Sequence, residues 1–333
     1  MEPFASRLSQ ARARQALRAS GLSFSDDLER ASSTRNEIYL SSRHVVRINR
    51  EPNQRLKREA QIYPHLPQGP WTPRMVAVGG EVGADYLIVE RKPGAPLAHF
   101  WPDLTMGQRR DAVRQLAECL RQIHATPAPR GISHLAVTPH LLDPRSAPAV
   151  RPLLDGINRL AEDPKVDPGI ISSARSYVVA NYSHLDRFPD RRLIHGDLTF
   201  ENVLWDGQSI SAVIDFEWCR GAPADLDLDV LLRCCQHPDA HVAATHQERT
   251  RASDYANIVA WLAEDYPGLF SHPHLGERLM IYALSFEVRQ VLESPRPVDR
   301  SDQSPLLPYN RLVSLLSSGG YLSDALHLVG VSV

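Results

Sequence analysis

Apolar and polar positions alternate along the chain in a way that divides it into two unequal parts. The opening stretch "SRLSQARARQALRAS" has helical spacing and runs into Gly21, a residue type that commonly stops a helix. "DLERASSTRNEIYLSSRHVVRINR" then offers short strands over 27–31, Asn36–Leu40 and His44–Asn49, divided by Ser-rich turns. "EPNQRLKREAQIYPHL" sets Leu56, Ala60 and Tyr63 at helical intervals and ends before Pro67. "MVAVGG" and "ADYLIVE" predict a further strand pair around Gly79 and Gly80. Pro93, Gly94 and Pro96 follow the strand 86–89 directly, a linker signal that puts a boundary near residue 92. The expected units are 1–91 and 92–333.

Past that strap, "QRRDAVRQLAECLRQIHATP" is an amphipathic helix, with Val113, Leu116, Ala117, Leu120 and Ile123 on one face. Residues 126–150 are Pro-rich and irregular, and helical patterns resume over 151–162, 169–183, 225–237, 249–265, 275–293 and 307–328. Between them lie strands over 193–195, 202–205 and 210–214, with Asp206-Gly207 as a tight turn. The fold class expected is α+β: a small N-terminal lobe with an antiparallel sheet, and a larger, mainly helical C-terminal lobe. Clefts between lobes favour ligands.

A chain of 333 residues exceeds one ordinary core, which agrees with two lobes. The net charge of −2 supplies no basic field, so nucleic acid is not an expected partner. No run is apolar enough to span a membrane, and the polar N-terminus lacks a secretory core, so the expected location is cytoplasmic. Cys234 and Cys235, with His237 and His241 nearby, raise the thought of a metal site. Adjacent helical residues face different ways, however, and buried thiols are the better expectation.

The chemistry concentrates in "LIHGDLTFENVLWDGQSISAVIDFEW". A hairpin here returns Asp215 to the strand end where Asn202 lies, with Asp197 on the loop leading in. Oxygen ligands beside an apolar core call for a cation, and a few carboxyl and amide oxygens completed by water and phosphate suit Mg²⁺. Asp197 is placed to take the proton of an attacking hydroxyl. Protein kinases carry H-R-D-L-x-x-x-N followed by D-F-G. This chain has His195-Gly196-Asp197-Leu198, Asn202 and Asp215-Phe216-Glu217 in the same order, with Gly in place of Arg.

On these motifs the chain resembles the aminoglycoside phosphotransferase family, whose fold is similar to those of choline kinases and protein kinases. The resemblance implies a two-lobed protein-kinase-like fold using ATP and Mg²⁺. Asp197 would be the catalytic base, Asn202 and Asp215 the magnesium ligands, and His195 a scaffold for the loop. Glu217 would meet the metal through water or pair with an Arg. Asp227, in preference to Asp225, would brace the catalytic loop. "HVVRINR" looks like the strand that presents a phosphate-binding cation, here Arg47, with Glu59 as its ion-pair partner. Arg holds phosphate bidentately where Lys is a point charge. No glycine-rich phosphate loop is present; Ser32, Ser33 and Thr34 stand in its place. The strap from Glu90 to Lys92 would meet adenine through its backbone.

The leading function is therefore transfer of the ATP γ-phosphate to a hydroxyl of a small sugar-like or aminocyclitol acceptor, antibiotic inactivation included. A metabolic kinase for an amino sugar or a choline-like alcohol is the alternative within the class. A nucleotide-binding regulator without turnover is disfavoured because it needs no base. A protein kinase is disfavoured by Gly196 and by the lack of an A-P-E segment. Asp186, Asp190, Glu264, Asp265 and Glu287 are acids near the expected cleft. Arg187, Arg191, Arg192, Arg278 and Arg289 balance them, so few ammonium groups are expected on the acceptor. Trp205, Trp218 and Trp261 would stack on a sugar ring or fill the core. A monomer or homodimer is expected.

Overall fold

The computed structural model describes residues 2–22, 28–31, 33, 36–129, 138–143, 145–185 and 192–331. The small lobe begins with helix α1 (Glu2–Ala19), which stops at Gly21 in a left-handed conformation. Strands β1 (Glu29–Ala31), β2 (Asn36–Leu40) and β3 (His44–Asn49) precede helix α2 (Arg55–Ile62). Strands β4 (Met75–Gly79) and β5 (Tyr86–Glu90) follow it. The five strands make one antiparallel sheet in the order β1-β2-β3-β5-β4, with Arg47 paired to Ile38 on one side and Leu87 on the other. Alternation in β3 sorts its side chains: Val46 and Ile48 join Ala13, Ala16 and Leu17 of α1 in a small core.

The strap leads through β6 (Ala95–Pro96) and α3 (Leu97–Phe100) to α4 (Met106–Ala125). A capping box of Thr105 and Gln108 starts α4, and the whole predicted apolar face is buried. Helices α5 (Arg151–Leu160) and α6 (Pro168–Asn181) precede β7 (Leu193–Ile194), β8 (Val203–Trp205), β9 (Ile210–Val213) and β10 (Arg220–Gly221). The chain ends in α7 (Asp225–Gln236), α8 (Ile258–Asp265), α9 (Leu275–Glu293), α10 (Pro308–Ser318) and α11 (Gly320–His327). The α+β, two-lobed expectation is met.

Two helices are shorter than their apolar patterns. The expected helix over 249–265 is a short 3₁₀ turn, Ala252–Tyr255, followed by α8. The pattern over 307–328 is broken where Gly319 and Gly320 both take positive φ, which turns the chain between α10 and α11. The core does not stop at the strap. Leu56, Tyr63, Trp71 and Leu87 of the small lobe belong to the same apolar cluster as Leu193, Val203 and Phe216. The Val213 N–H also donates to the Trp71 carbonyl at 3.0 Å. Among the described residues no helix is long and apolar enough to cross a membrane.

Candidate active site

Because Val46 and Ile48 face α1, Arg47 faces the other side of the sheet, over α2. There its Nη1 donates to both carboxylate oxygens of Glu59, at 2.6 and 2.7 Å. Its Nη2 donates to Asp215 Oδ1 at 2.8 Å, joining the small lobe to the end of β9. Glu59 is fully buried and also accepts from the Phe216 N–H at 3.2 Å. Burial opposes the Arg47 charge, but Glu59 and Asp215 outweigh it and keep the guanidinium protonated. Burial likewise pushes the Glu59 carboxyl up, against the pull of Arg47.

The β8–β9 hairpin sets the facing pair. Val203 opposes Val213, and the Ile214 N–H donates to the Asn202 carbonyl at 2.9 Å, so Asn202 and Asp215 end at the same place. Asp215 has φ 64° and ψ 61°, the left-handed region, and is the one non-glycine with positive φ among the described residues. A short polar side chain tolerates this, at about 1 kcal/mol or more. Asn202 Nδ2 donates to the Asp197 carbonyl at 2.8 Å, and its Oδ1 meets no protein donor among the described residues. Among the described residues no hydrogen bond is made to Asp215 Oδ2 either. This all-oxygen, partly exposed pair fits a hard cation of the Mg²⁺ type.

Asp227, in the first turn of α7, anchors the loop that carries Asp197. It is fully buried and accepts from the His195 N–H at 2.8 Å and the Gly196 N–H at 2.7 Å, and it meets His124 Nε2 at 3.0 Å. Burial works against its charge, but the His124 bond, the nearby His195 and the Gly196 N–H hold the carboxyl below the usual range. Asp225 instead pairs with Arg278 at 2.5 and 3.1 Å, so of the two acids it is Asp227 that meets the loop. His195 Nε2 lies 2.9 Å from the Ile214 carbonyl and must donate to it, while Nδ1 accepts from the Asp197 N–H at 3.3 Å. Burial pushes the His195 pKa down, which agrees with this neutral tautomer. One imidazole thereby links the loop of Asp197 to the strand end before Asp215.

Gly196 has φ +84°, and a Cβ there would stand 2.5 Å from the Trp218 carbonyl oxygen and 2.7 Å from Arg220 Nη1. A side chain at this position would therefore have to displace the Trp218 carbonyl. A guanidinium is present all the same, brought from β10 by Arg220, whose Nη1 donates to the Trp218 carbonyl at 2.9 Å. Burial pulls the Arg220 pKa down to about 10, with Asp227 opposing.

Other expected positions are less closely tied to this centre. Ser33 Oγ accepts from the Asn36 N–H at 3.3 Å, while Ser32 and Thr34 lie outside the described residues. In the strap, the Glu90 N–H is committed to the Arg74 carbonyl and the Arg91 N–H to the Arg43 carbonyl, both at 2.8 Å. Lys92 Nζ lies 3.4 Å from Glu90 Oε1. Asp186, Asp190, Arg187 and Arg191 lie outside the described residues. Glu264 and Asp265 both bond Arg110, and Glu287 is buried against Arg311 at 2.8 Å. Trp205 and Trp218 are buried, so they pack the core; Trp261 is half-buried. Glu217 is buried 3.7 Å from Arg55. Cys234 is buried, which pushes its thiol up to about 12.

Two supporting residues escaped the sequence reading. Arg58, buried on α2, donates through Nη1 to the Glu217 carbonyl at 3.0 Å and through Nη2 to the Cys219 carbonyl, holding the turn after Asp215. His124, near the end of α4, orients Asp227. The available signal was position: Arg58 shares a helix with Glu59, and His124 follows Ile123 at the end of a clear apolar stripe.

Fold and site together define a kinase-like phosphotransferase. The model of the phosphotransferase enzyme family (APH) matches residues 28–261, and the chain belongs to that family. It is therefore an enzyme, a phosphotransferase with an alcohol group as acceptor. Among curated proteins none matches the chain. Among solved structures it is similar to ADP-bound aminoglycoside phosphotransferase APH(2'')-Ib, with 15% identity, 88% of this chain and 92% of that one covered, and TM-score 0.57. The gentamicin complex of APH(2")-IIa is similar at 14% identity, 92% and 95% coverage and TM-score 0.58. A thermostable mutant of APH(4)-Ia, with ADP and hygromycin B, is similar at 18% identity, 96% and 95% coverage and TM-score 0.54. At these identities the likeness is one of fold.

Proposed function

We propose that this chain is an ATP-dependent small-molecule kinase that phosphorylates a hydroxyl of a sugar-like or aminocyclitol acceptor bearing few positive charges. The observation that carries the reading is the Arg47 bridge, bonded at once to Glu59 and to Asp215. It sets a phosphate-type cation of the small lobe beside the carboxylate that faces Asn202. Arg47, oriented by Glu59, holds the phosphates, and the Lys92 N–H is the strap donor left for adenine. Asn202 Oδ1 and Asp215 would hold Mg²⁺, which when bound neutralises phosphate charge. Asp197 accepts the acceptor's hydroxyl proton as that oxygen bonds to the γ-phosphorus, and the bond from phosphorus to the ADP oxygen breaks.

The charge argument supports the acceptor class. A polycationic aminoglycoside needs several unengaged carboxylates as its ammonium groups leave water. Glu264, Asp265 and Glu287 each already bond an arginine. The structural relatives bound to gentamicin and hygromycin B keep antibiotic inactivation among the roles to test. The test is incubation of the purified chain with ATP, Mg²⁺ and a mixed panel of aminoglycosides, aminocyclitols, amino sugars and choline, read by mass spectrometry. A product from a neutral or weakly charged acceptor supports the reading. Products from strongly polycationic aminoglycosides alone refute the acceptor class, and no product from any acceptor, with ATP left intact, refutes the assignment.

A further inference from the structure

Away from the phosphate centre, the turn after α6 meets the start of α9 through three side chains that the reaction does not use. His184 belongs to the 3₁₀ turn Tyr182–Leu185, His274 is the residue before α9, and Glu277 lies in the first turn of α9. One ligand atom from each of the three lies within 4.8 Å of the others. The imidazoles of His184 and His274 stack, with centroids 3.8 Å apart and planes 20° apart. His274 Nδ1 is 3.4 Å from Glu277 Oε1.

A His–Glu pair three residues apart at a helix start is an ordinary surface pair by itself. What sets this one apart is His184, delivered from a distant segment that is fastened in place. Arg278, next to Glu277, donates to the His184 carbonyl at 2.6 Å while its remaining nitrogens hold Asp225 and the Tyr282 hydroxyl. On the other side, the His274 N–H donates to His272 Nδ1 at 3.1 Å, fixing the approach to α9. Two backbone positions are therefore set, and only side-chain torsions remain to be adjusted.

We propose that His184, His274 and Glu277 form a site for Zn²⁺ or a similar divalent transition metal, separate from the phosphate centre, that clamps the turn after α6 to α9. Two imidazoles and one carboxylate are the donor set of a three-ligand zinc site, with water in the fourth position. Nitrogen donors disfavour Mg²⁺ and Ca²⁺. Zn–N and Zn–O bonds of about 2.0–2.1 Å set tetrahedral ligand atoms about 3.4 Å apart. Side chains that are 47% exposed at His274 and 36% exposed at Glu277 can rotate to close that gap.

The test uses the full chain, chelator-treated, without nucleotide and in excess Mg²⁺. ZnCl₂ alone is titrated by calorimetry, and melting is followed with and without it. One saturable equivalent and a higher melting temperature that chelation reverses are expected. H184A and H274A should each weaken the binding by about tenfold or more, on the scale set for altered metal sites, and E277Q should weaken it less. Each variant, chelated, should melt with the chelated wild type, which shows that loss of binding is not loss of fold. A C234S/C235S control should retain the binding. No saturable Zn²⁺ binding by the wild type, or binding that persists unchanged in H184A/H274A, overturns the site.

Discussion

Replacing Asp227 by Asn tests how the catalytic loop is held, because the change keeps the shape and removes only the charge and one acceptor. In the wild type both carboxylate oxygens are in use: Oδ1 takes the Gly196 N–H, and Oδ2 takes the His195 N–H with His124 beside it. An amide keeps one oxygen and turns an N–H₂ toward a donor. At least one buried backbone N–H is then left without an acceptor, and the remaining bonds lose their ionic character. Hydrogen bonds to a charged group contribute about 1.5–3 kcal/mol each, and an orphaned buried donor costs about 1–3 kcal/mol. A loss of about 2–4 kcal/mol follows, or roughly 3–6 °C in melting temperature for a chain of this size. Since Asp197 follows Gly196 directly, its misplacement should lower kcat by about 10²-fold. Nucleotide affinity should stay near wild type, because Asp227 touches none of the groups assigned to ATP. The charge also gives a pH signature. The folded-state pKa of Asp227 is depressed below the ordinary value of 3.8, so its stabilisation is present above that value and fades as pH falls through the lower folded value. The gap between wild type and variant, measured by chemical denaturation, should therefore narrow in acid. A variant that melts with wild type and turns over within about twofold of it would refute the clamp.

Asp197→Asn should lower kcat by about 10²–10⁴-fold while melting and ATP affinity stay close to wild type, checked by kinetics and calorimetry; retention of more than about a tenth of the rate would remove Asp197 from the base role. Arg47→Ala should raise KM for ATP far more than KM for the acceptor, and Arg47→Lys should restore part of it, since Lys keeps the charge and loses the fork. Arg47→Ala also leaves Glu59 fully buried without its cation, so the variant should be less stable at neutral pH; ATP kinetics indifferent to the change would show that the phosphates lie elsewhere. Gly196→Ala should lose at least about 1–3 kcal/mol of stability from its positive φ, plus activity as the Trp218 carbonyl is displaced, and unchanged melting would count against the close approach described.

Much of this centre was legible because the chain spells it out locally. The hairpin around Asp206-Gly207 fixes a short register, so Asn202 and Asp215 could be paired from sequence alone. Alternation in "HVVRIN" fixes the face that Arg47 shares with α2. The α4 stripe was legible for the same reason, since every contact it implies lies on one helix face. What stayed hidden depends on contacts across long separations. Nothing near Arg58 announces that it reaches the carbonyls of Glu217 and Cys219. The choice between Asp225 and Asp227 turned on Arg278 of α9, which claims the first and leaves the second for the loop. The broken helices followed from backbone torsions: Gly319 and Gly320 interrupt an apolar pattern that continues across them.

The acceptor is the part for which local spelling carries least, and the arrangement of charge explains why. Carboxylates counted along the chain look like a supply of partners for cationic sugars. In the fold, arginines take up the three candidate acids that lie among the described residues, Arg110 holding Glu264 and Asp265 and Arg311 holding Glu287. A charge already matched inside the protein has little attraction left for a ligand, because an ammonium approaching it must first displace an arginine that is bonded and partly desolvated. Arg47 presents the same situation on the nucleotide side. It is bonded to Asp215, and in the proposed reading phosphate would meet Arg47 while a hard cation meets Asp215, giving each partner a new counter-charge. An acceptor rich in ammonium groups has no such exchange to offer at Glu264, Asp265 or Glu287, because it brings no anion to re-pair the displaced arginines. In the proposed reading, specificity on that side would fall to hydroxyl recognition and shape, which is the basis for expecting a sparsely charged, hydroxylated acceptor.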